Sequence, residues 1–429
     1  MFGFANFLLL ALFAAAVFDL IFALARGGGL RGALHGLWNT PHLLFGQQLA
    51  EWRLQLGRIL FAAGLAAYEI SVVFCNSMAR QNWAWVQGVM SPVLEWLAFL
   101  CFGAKILFGT RYTWRELLAG GALYFIARWV YFNSQNIWWI GIVVAVLAAK
   151  DVPLRRPLQV YFVSGCAAIA VVLALHFAGI VAPDLTSERM GALRGTYGYG
   201  HPNTFGGLVF GLVLAYALLR AQKVRWVDCL LVFAIGVFLL VGPASRSAAL
   251  CTLALAVGLV FCRLRAGHSV PRWWPGTCAG MVGLTAAVSY LLPLLVIKVG
   301  PWNNDIGPAW LAKLDSLLTC RISLTWMAYR LLDVKIAGQV FNWPTVDNSF
   351  AFALFQFGPV VAALLGILFA AALLGHAKQG RRVEVCCLFA MLAYAYMEVQ
   401  PFHLTTNPTA LLLCGAVFAQ TSARWQKIE

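Results

Sequence analysis

The chain has 429 residues, of which 62% are hydrophobic and only 11% charged, and its mean hydropathy is +0.79. This composition excludes a soluble globular protein and indicates an all-α, polytopic integral membrane protein. The formal net charge of +15 is explained by basic loops that attract the membrane surface, so we expect the lipid bilayer and no nucleic acid as a partner.

Apolar stretches that could cross a bilayer recur along the whole chain, and we predict about 12 to 13 transmembrane helices. The first is irregular because Asp19 interrupts it and a glycine-rich stretch follows, so a surface or re-entrant helix is the alternative there. The predicted spans are residues 3–25, 58–78, 83–107, 117–132, 136–149, 159–182, 206–220, 227–242, 247–262, 277–298, 349–375, 384–399 and 409–421.

Alternating these spans places most Lys and Arg residues on one side, which the positive-inside rule assigns to the cytoplasm. We therefore predict a multi-pass protein of the cytoplasmic (inner) membrane with a cytoplasmic C-terminus. Residues 1–55 form an N-terminal apolar segment and a basic cytoplasmic loop, residues 56–421 a membrane-embedded domain, and residues 422–429 a cytoplasmic tail.

Two predicted outer loops are long, residues 183–205 and 299–348, and long loops carry function more often than short connectors do. The second contains one amphipathic stretch, residues 310–332, whose spacing predicts a helix on the outer surface or over a cavity. Four acidic residues of the two loops are expected to be solvated charges: Asp184, Glu188, Asp315 and Asp333.

Five segments bring charged or titratable residues to this outer side, where basic residues are usually scarce. Guanidinium groups there suit a diphosphate ligand, and a neighbouring carboxylate or imidazole could accept a proton from an attacking hydroxyl. The candidates are Arg194, Tyr199, His201, Asn203, Arg246, Arg321, Asp347, Asn348, Glu398 and His403.

Each candidate also has a structural interpretation. An outer arginine often extends to the interface, the His201-Pro202-Asn203 turn could cap the following helix, and Asp347 could cap the helix after it. Glu398 and His403 could be packing or rim groups. Glu69, Glu95 and Arg128 within predicted spans leave a secondary transporter as a further alternative.

The order of these motifs resembles the Wzy-type polysaccharide polymerases of the O-antigen ligase/polymerase superfamily. The specific pieces are residues 194–206, from Arg194 through His201-Pro202-Asn203, and residues 318–360, with Arg321, Asp347-Asn348 and Phe357-Gly358; Ser245-Arg246-Ser247 lies between them. The resemblance covers about residues 56–421. Cys320 stands where these proteins commonly have glycine, and the first fifty-odd residues extend beyond the family's usual start.

The resemblance implies a GT-C-like membrane glycosyltransferase that joins undecaprenyl-diphosphate-linked oligosaccharides outside the cytoplasmic membrane, without nucleotide sugar, metal or cofactor. Arg194, Arg246 and Arg321 would hold the diphosphates, and Asp347 or His201 would be the general base. The products would be capsular, exopolysaccharide or O-antigen chains, and a flippase and a chain-length regulator would be partners. The alternative within the superfamily is an O-antigen-type ligase. The eleven cysteines show no metal-binding spacing and predict no disulfide.

Overall fold

The computed structural model describes residues 2–26, 29–181, 187–189, 192–296 and 307–418. The chain is a bundle of helices, and the strands of the described part form only two two-stranded ribbons. Eight helices in this part are long and apolar enough to cross a membrane, and three shorter apolar helices accompany them. The prediction of an all-α, multi-pass membrane protein is confirmed at this level.

The α-helices, in chain order, are α1 Phe2–Ala25, α2 Gly29–Asn39, α3 Ala50–Cys75, α4 Ala79–Asn82, α5 Ser91–Phe108, α6 Trp114–Ser134, α7 Ile137–Ala148, α8 Arg155–Phe177, α9 Pro202–Leu219, α10 Trp226–Val241, α11 Arg246–Leu264, α12 Trp274–Leu291, α13 Ala309–Leu317, α14 Arg321–Leu331, α15 Ser349–Phe352, α16 Pro359–Lys378, α17 Arg382–Met397 and α18 Cys414–Val417. Two π-helical turns, Val86–Met90 and Ala353–Phe357, and three 3₁₀ segments, Leu292–Leu295, Gln400–Phe402 and Pro408–Leu413, complete them. The antiparallel ribbons are β1 His42–Leu43 with β2 Arg111–Tyr112, and β3 Ser187–Arg189 with β4 Ala192–Arg194.

The predicted span 349–375 is not one helix. It consists of α15, a π-helical turn and α16, with Gly358 between the last two. Gly358 has φ +87°, and a Cβ there would lie 2.7 Å from the Lys335 carbonyl oxygen, closer than real Cβ contacts. Gly338, with φ +74°, faces the backbone of Phe357 in the same way. Two glycines therefore let the chain before Asp347 pack directly on the break between α15 and α16.

The N-terminal helix α1 belongs to the bundle, since it packs on α2, α5 and α6. The Arg128 guanidinium donates from Nε to Asn6 Oδ1 at 2.6 Å. At the other end, Asp19 accepts the Phe45 N–H at 3.1 Å and lies 3.5 Å from the His42 ring. Burial works against a charged His42, but Asp19 and the Thr40 carbonyl outweigh it and raise the pKa of His42. The predicted boundary after residue 55 falls inside α3.

The predicted single helix over residues 310–332 is wrong in one respect, because the structure divides it into α13 and α14. Thr319 and Cys320 adopt left-handed conformations, φ +60° and +65°, which end one helix and begin the next. The apolar face of the two helices nevertheless packs together around Leu311 and Ile322. The left-handed backbone at Cys320 is the conformation that favours glycine.

Asp315 is not the solvated charge that the sequence predicted. Its side chain is buried, and Oδ1 accepts the backbone N–H groups of Ile322 at 2.7 Å and Ser323 at 3.2 Å. It thus satisfies the first N–H groups of α14, which have no partner within that helix. Asp333 is exposed as expected, whereas Asp184 and the Glu188 side chain lie outside the described residues.

Two groups of charged residues lie at opposite ends of the bundle. Helix α9 begins after His201 and ends beside Arg220, and α17 begins at Arg382 and ends beside Glu398. Basic residues from four of the predicted cytoplasmic loops line one cleft near the Arg220 end: Arg111, Arg155, Lys223 and Arg381. The candidate site residues Asn203 and Glu398 meet at the opposite end.

Candidate active site

Arg321 is at the centre of the candidate site. Its side chain is 8% exposed, and Nη2 lies 2.6 Å from Glu398 Oε1 and 3.9 Å from Asp347 Oδ2. Nε donates to the Met397 carbonyl, and Nη1 donates to the Leu318 carbonyl at 3.0 Å. The guanidinium therefore joins the start of α14, the end of α17 and the segment before α15.

Glu398 connects the same end of the bundle to two further helices. Its Oε1 accepts hydrogen bonds from Ser247 Oγ at 2.8 Å and from Asn203 Nδ2 at 3.1 Å, in addition to Arg321. Ser349 Oγ donates to the backbone carbonyl oxygen of Glu398 at 2.6 Å. Since the carboxylate is only 5% exposed, its role in this arrangement is to position neighbours. All three of these hydrogen bonds go to Oε1, and Oε2 accepts none from the described residues.

Arg194 lies at the edge of this network and is itself buried. Its Nη2 donates to Asn203 Oδ1 at 2.9 Å and to the Ala244 carbonyl at 3.2 Å. Asn203 is thus held by Arg194 on one side and donates to Glu398 on the other. We refer to Arg194, Asn203, Ser247, Arg321, Asp347 and Glu398 as the arginine–carboxylate cluster.

Arg246 differs from the other two arginines. It is the first residue of α11, next to Ser247, and its side chain is exposed. Within the described part of the chain it forms no hydrogen bond or ion pair. Its guanidinium therefore keeps all of its donors available beside the arginine–carboxylate cluster.

Asp347 and Asn348 have separate tasks. The helix cap that the sequence suggested for Asp347 is formed by Asn348, whose Oδ1 accepts the N–H groups of Phe350 at 2.9 Å and Ala351 at 3.1 Å. Asp347 is 29% exposed, and its contact with Arg321 is longer than a hydrogen bond. It is consequently a carboxylate of the cluster with an accessible edge.

The His-Pro-Asn turn caps α9, as one interpretation predicted, but the capping side chain is His201 and not the asparagine that was expected to cap. The Nδ1 of His201 accepts the backbone N–H of Asn203 at 3.1 Å, while the ring is exposed. A neutral imidazole has one donor nitrogen and one acceptor nitrogen, so Nε2 carries the hydrogen in this arrangement. The ring must give up the cap before Nδ1 can accept a proton.

Two candidates lie apart from the cluster. Tyr199 is fully buried and packs on Phe205, with ring centroids 5.6 Å apart. The His403 ring packs against Trp138, with ring centroids 3.8 Å apart and ring planes tilted by 40°. Their contacts are therefore those of packing residues, which is one of the two interpretations the sequence left open for His403.

Sequence reasoning missed several residues that support the cluster. Ser247 bonds to Glu398, and Gln400 Nε2 donates to the Asn203 carbonyl at 3.1 Å. Thr319 Oγ accepts from Arg321. The serines beside Arg246 were a usable signal, because small hydroxyls flanking an arginine between two spans can bond to charged groups. Nothing in the local sequence distinguishes Gln400 or Thr319.

No group of three or more His, Cys, Asp or Glu side chains in the described residues could hold a metal ion. Comparison of the chain with protein-family models, with curated proteins and with solved structures finds no match.

Proposed function

We propose that this chain is a Wzy-type membrane glycosyltransferase with a GT-C-like architecture. It polymerises undecaprenyl-diphosphate-linked oligosaccharide repeat units into capsular, exopolysaccharide or O-antigen chains on the outer face of the cytoplasmic membrane. The observation that carries the proposal is the contact of Arg321 with both Glu398 and Asp347, beside the exposed Arg246. Residues far apart in sequence thus combine a free cation with a partly accessible carboxylate.

This combination suits glycosyl transfer from a lipid diphosphate. The acceptor hydroxyl forms a bond to the anomeric carbon while the bond to the diphosphate oxygen breaks, and the hydroxyl proton passes to a base. Negative charge grows on the departing diphosphate, so a fixed guanidinium lowers the barrier. A single displacement inverts the anomeric centre, and the family resemblance implies that no metal or cofactor takes part.

The surroundings of the three arginines assign them different roles. Arg246 contacts the diphosphate oxygens directly, because its donors are not used within the described part of the protein. Arg321 is buried and orients Asp347 and Glu398. Arg194 orients Asn203 and, through it, Glu398. All three remain necessary, two of them by holding the site together.

Asp347 is the better candidate for the general base. It has an exposed edge, whereas the Nδ1 of His201 is occupied by the cap of α9. A positioned carboxylate near its substrate hydroxyl contributes through geometry even when its basicity is low. His201 then serves to fix the first turn of α9, which carries Asn203.

The test is a reconstituted assay in which lipid-linked repeat units are both donor and acceptor. Asp347→Asn should slow chain growth on the order of 10²- to 10⁴-fold, and the helix cap should persist because Asn348 forms it. Asp333→Asn is the matched control, since this carboxylate is exposed on the same loop, and it should act like the wild type.

His201→Gln is the competing variant. Normal turnover of Asp347→Asn beside an inactive His201→Gln protein would move the base to His201. If the wild-type protein transfers glycan only to an added lipid acceptor of another kind and never extends the repeat unit, the ligase function replaces the polymerase function.

A further inference from the structure

A second concentration of charge lies at the opposite end of the bundle from Arg246 and Glu398. A cleft of about 400 Å³ there contains two carboxylates, Asp151 and Glu384, and six cationic side chains. The cations are Arg58, Arg111, Arg155, Arg220, Lys223 and Arg381. We call this cavity the basic cleft.

Most of these cations form no ion pair in the described part of the chain, although Arg381 interacts electrostatically with Glu384 at longer range. Arg220 Nε lies 3.2 Å from Asp228 Oδ2, and Arg111 lies 3.8 Å from the exposed Glu51. The other four, Arg58, Arg155, Lys223 and Arg381, form no ion pair with any residue that the structure describes. Like charges around one concavity repel each other, and a bound anion relieves that repulsion.

The positive-inside rule alone does not account for this arrangement. The rule requires basic residues on the cytoplasmic side but does not require them to face one cavity. The six cations come from α3, the β2 strand, the start of α8, the turn between α9 and α10, and the turn before α17. Arg263 and Arg272 belong to the same predicted side and do not line the basic cleft.

The remaining lining is apolar and indicates what kind of anion fits. Leucines from four segments line the cleft beside the cations: Leu54, Leu158, Leu218, Leu219 and Leu412. A small inorganic anion has no apolar surface to bury against these leucines. A lipid whose charged headgroup meets the arginines and whose first methylene groups lie on the leucines uses both parts.

We propose that the basic cleft binds the phosphate group of an anionic membrane phospholipid. Guanidinium groups bond phosphate oxygens bidentately, and the three unpaired guanidinium groups, together with the Lys223 ammonium, can share the oxygens of one phosphodiester. A free phosphate or diphosphate shares this chemistry, so the experiment distinguishes the two sources. This site is independent of the proposed transferase function and does not require it.

The test uses the full-length protein in neutral detergent. Native mass spectrometry with added phosphatidylglycerol measures lipid adducts, and phosphatidylcholine provides the zwitterionic reference. Arg58→Gln/Lys223→Gln should weaken phosphatidylglycerol binding by roughly tenfold to a hundredfold, because two charge-assisted hydrogen bonds are lost and each contributes up to about one factor of ten at these exposed side chains. Arg263→Gln/Arg272→Gln removes the same charge at the same end outside the basic cleft and should leave binding unchanged.

Competition identifies the source of the phosphate. Retention of phosphatidylglycerol in excess inorganic pyrophosphate supports the lipid headgroup, whereas displacement by pyrophosphate at similar concentration supports a soluble phosphate ligand and overturns the lipid assignment. Equal weakening in the two double variants would overturn the site altogether, since general surface charge would then explain the binding. Both pairs of residues are exposed, and size-exclusion profiles check that each variant folds.

Discussion

Replacing Gly358 by alanine tests the packing that holds the segment containing Asp347. The added methyl group meets the backbone of residues 335 and 336, and the φ of +87° is one that alanine avoids. The wild-type glycine has no Cβ, so it tolerates both the close backbone contact and the positive φ. Helix α16 and the chain around Gly338 must therefore separate in the variant.

The expected loss follows from three effects. A left-handed alanine costs roughly 1–2 kcal/mol, and relief of a backbone clash by displacement costs about 1–3 kcal/mol. Alanine also lowers the conformational entropy of the unfolded chain, which offsets about 0.4–1 kcal/mol of this loss. We expect Gly358→Ala to lower the free energy of unfolding by about 2–3 kcal/mol, and to slow polymerisation because Asp347 shifts relative to Arg321.

Equilibrium unfolding in mixed micelles, followed by helical circular dichroism, measures the change. Gly366→Ala is the matched control, because Gly366 lies within α16 and a Cβ there meets nothing within 4 Å. That control should gain up to about 1 kcal/mol from helix propensity. If Gly358→Ala is as stable as Gly366→Ala, the direct backbone contact between Gly358 and residues 335 and 336 does not exist in solution.

Three further predictions concern orientation, the diphosphate and the loop helices. Cysteine-accessibility labelling in a cysteine-free background should find residues 183–205 and 299–348 outside and residues 376–383 inside; the reverse result would contradict the catalytic proposal. Arg246→Ala should abolish polymer at normal expression, and lysine should rescue it poorly because it lacks the bidentate geometry; normal chain length in Arg246→Ala would refute the diphosphate contact. Asp315→Ala should destabilise the protein by about 1–2 kcal/mol in the same unfolding assay, and an unchanged free energy of unfolding would show that α14 does not need this cap.

The helices were predictable because lipid burial imposes an apolar composition on long stretches, and within the described residues every predicted span overlaps helical structure. Interruptions were harder to predict. The Gly358-Pro359 pair was a usable signal for the break before α16, since such pairs mark turns. The division of α13 from α14 had no such signal in the residues themselves, because Thr319 and Cys320 rarely adopt positive φ. The glycine that the resembled family commonly has at position 320 was an indirect signal.

Many residues of the candidate site could be predicted from the sequence, but the different role of each residue could not. The motifs gave Arg194, Arg246 and Arg321 the same task. Burial and hydrogen bonding separate them, and both depend on contacts between distant segments, such as those of Arg321 with Asp347 and with Glu398. The burial of Asp315 could not be predicted for the same reason. An aspartate in a polar loop is usually solvated, and here it accepts backbone N–H groups of the next helix.

The length of α17 has a consequence for depth in the bilayer. Its 16 residues span about 24 Å at 1.5 Å per residue, whereas the hydrocarbon core of a bilayer is about 30 Å thick. In the proposed orientation, with Arg381 and Arg382 at the cytoplasmic headgroups, Glu398 would lie about 6 Å short of the opposite edge of the hydrocarbon core. Either the bilayer thins around this helix or water enters a recess above Glu398. In both cases a lipid-linked sugar would meet its partner below the level of the surrounding headgroups.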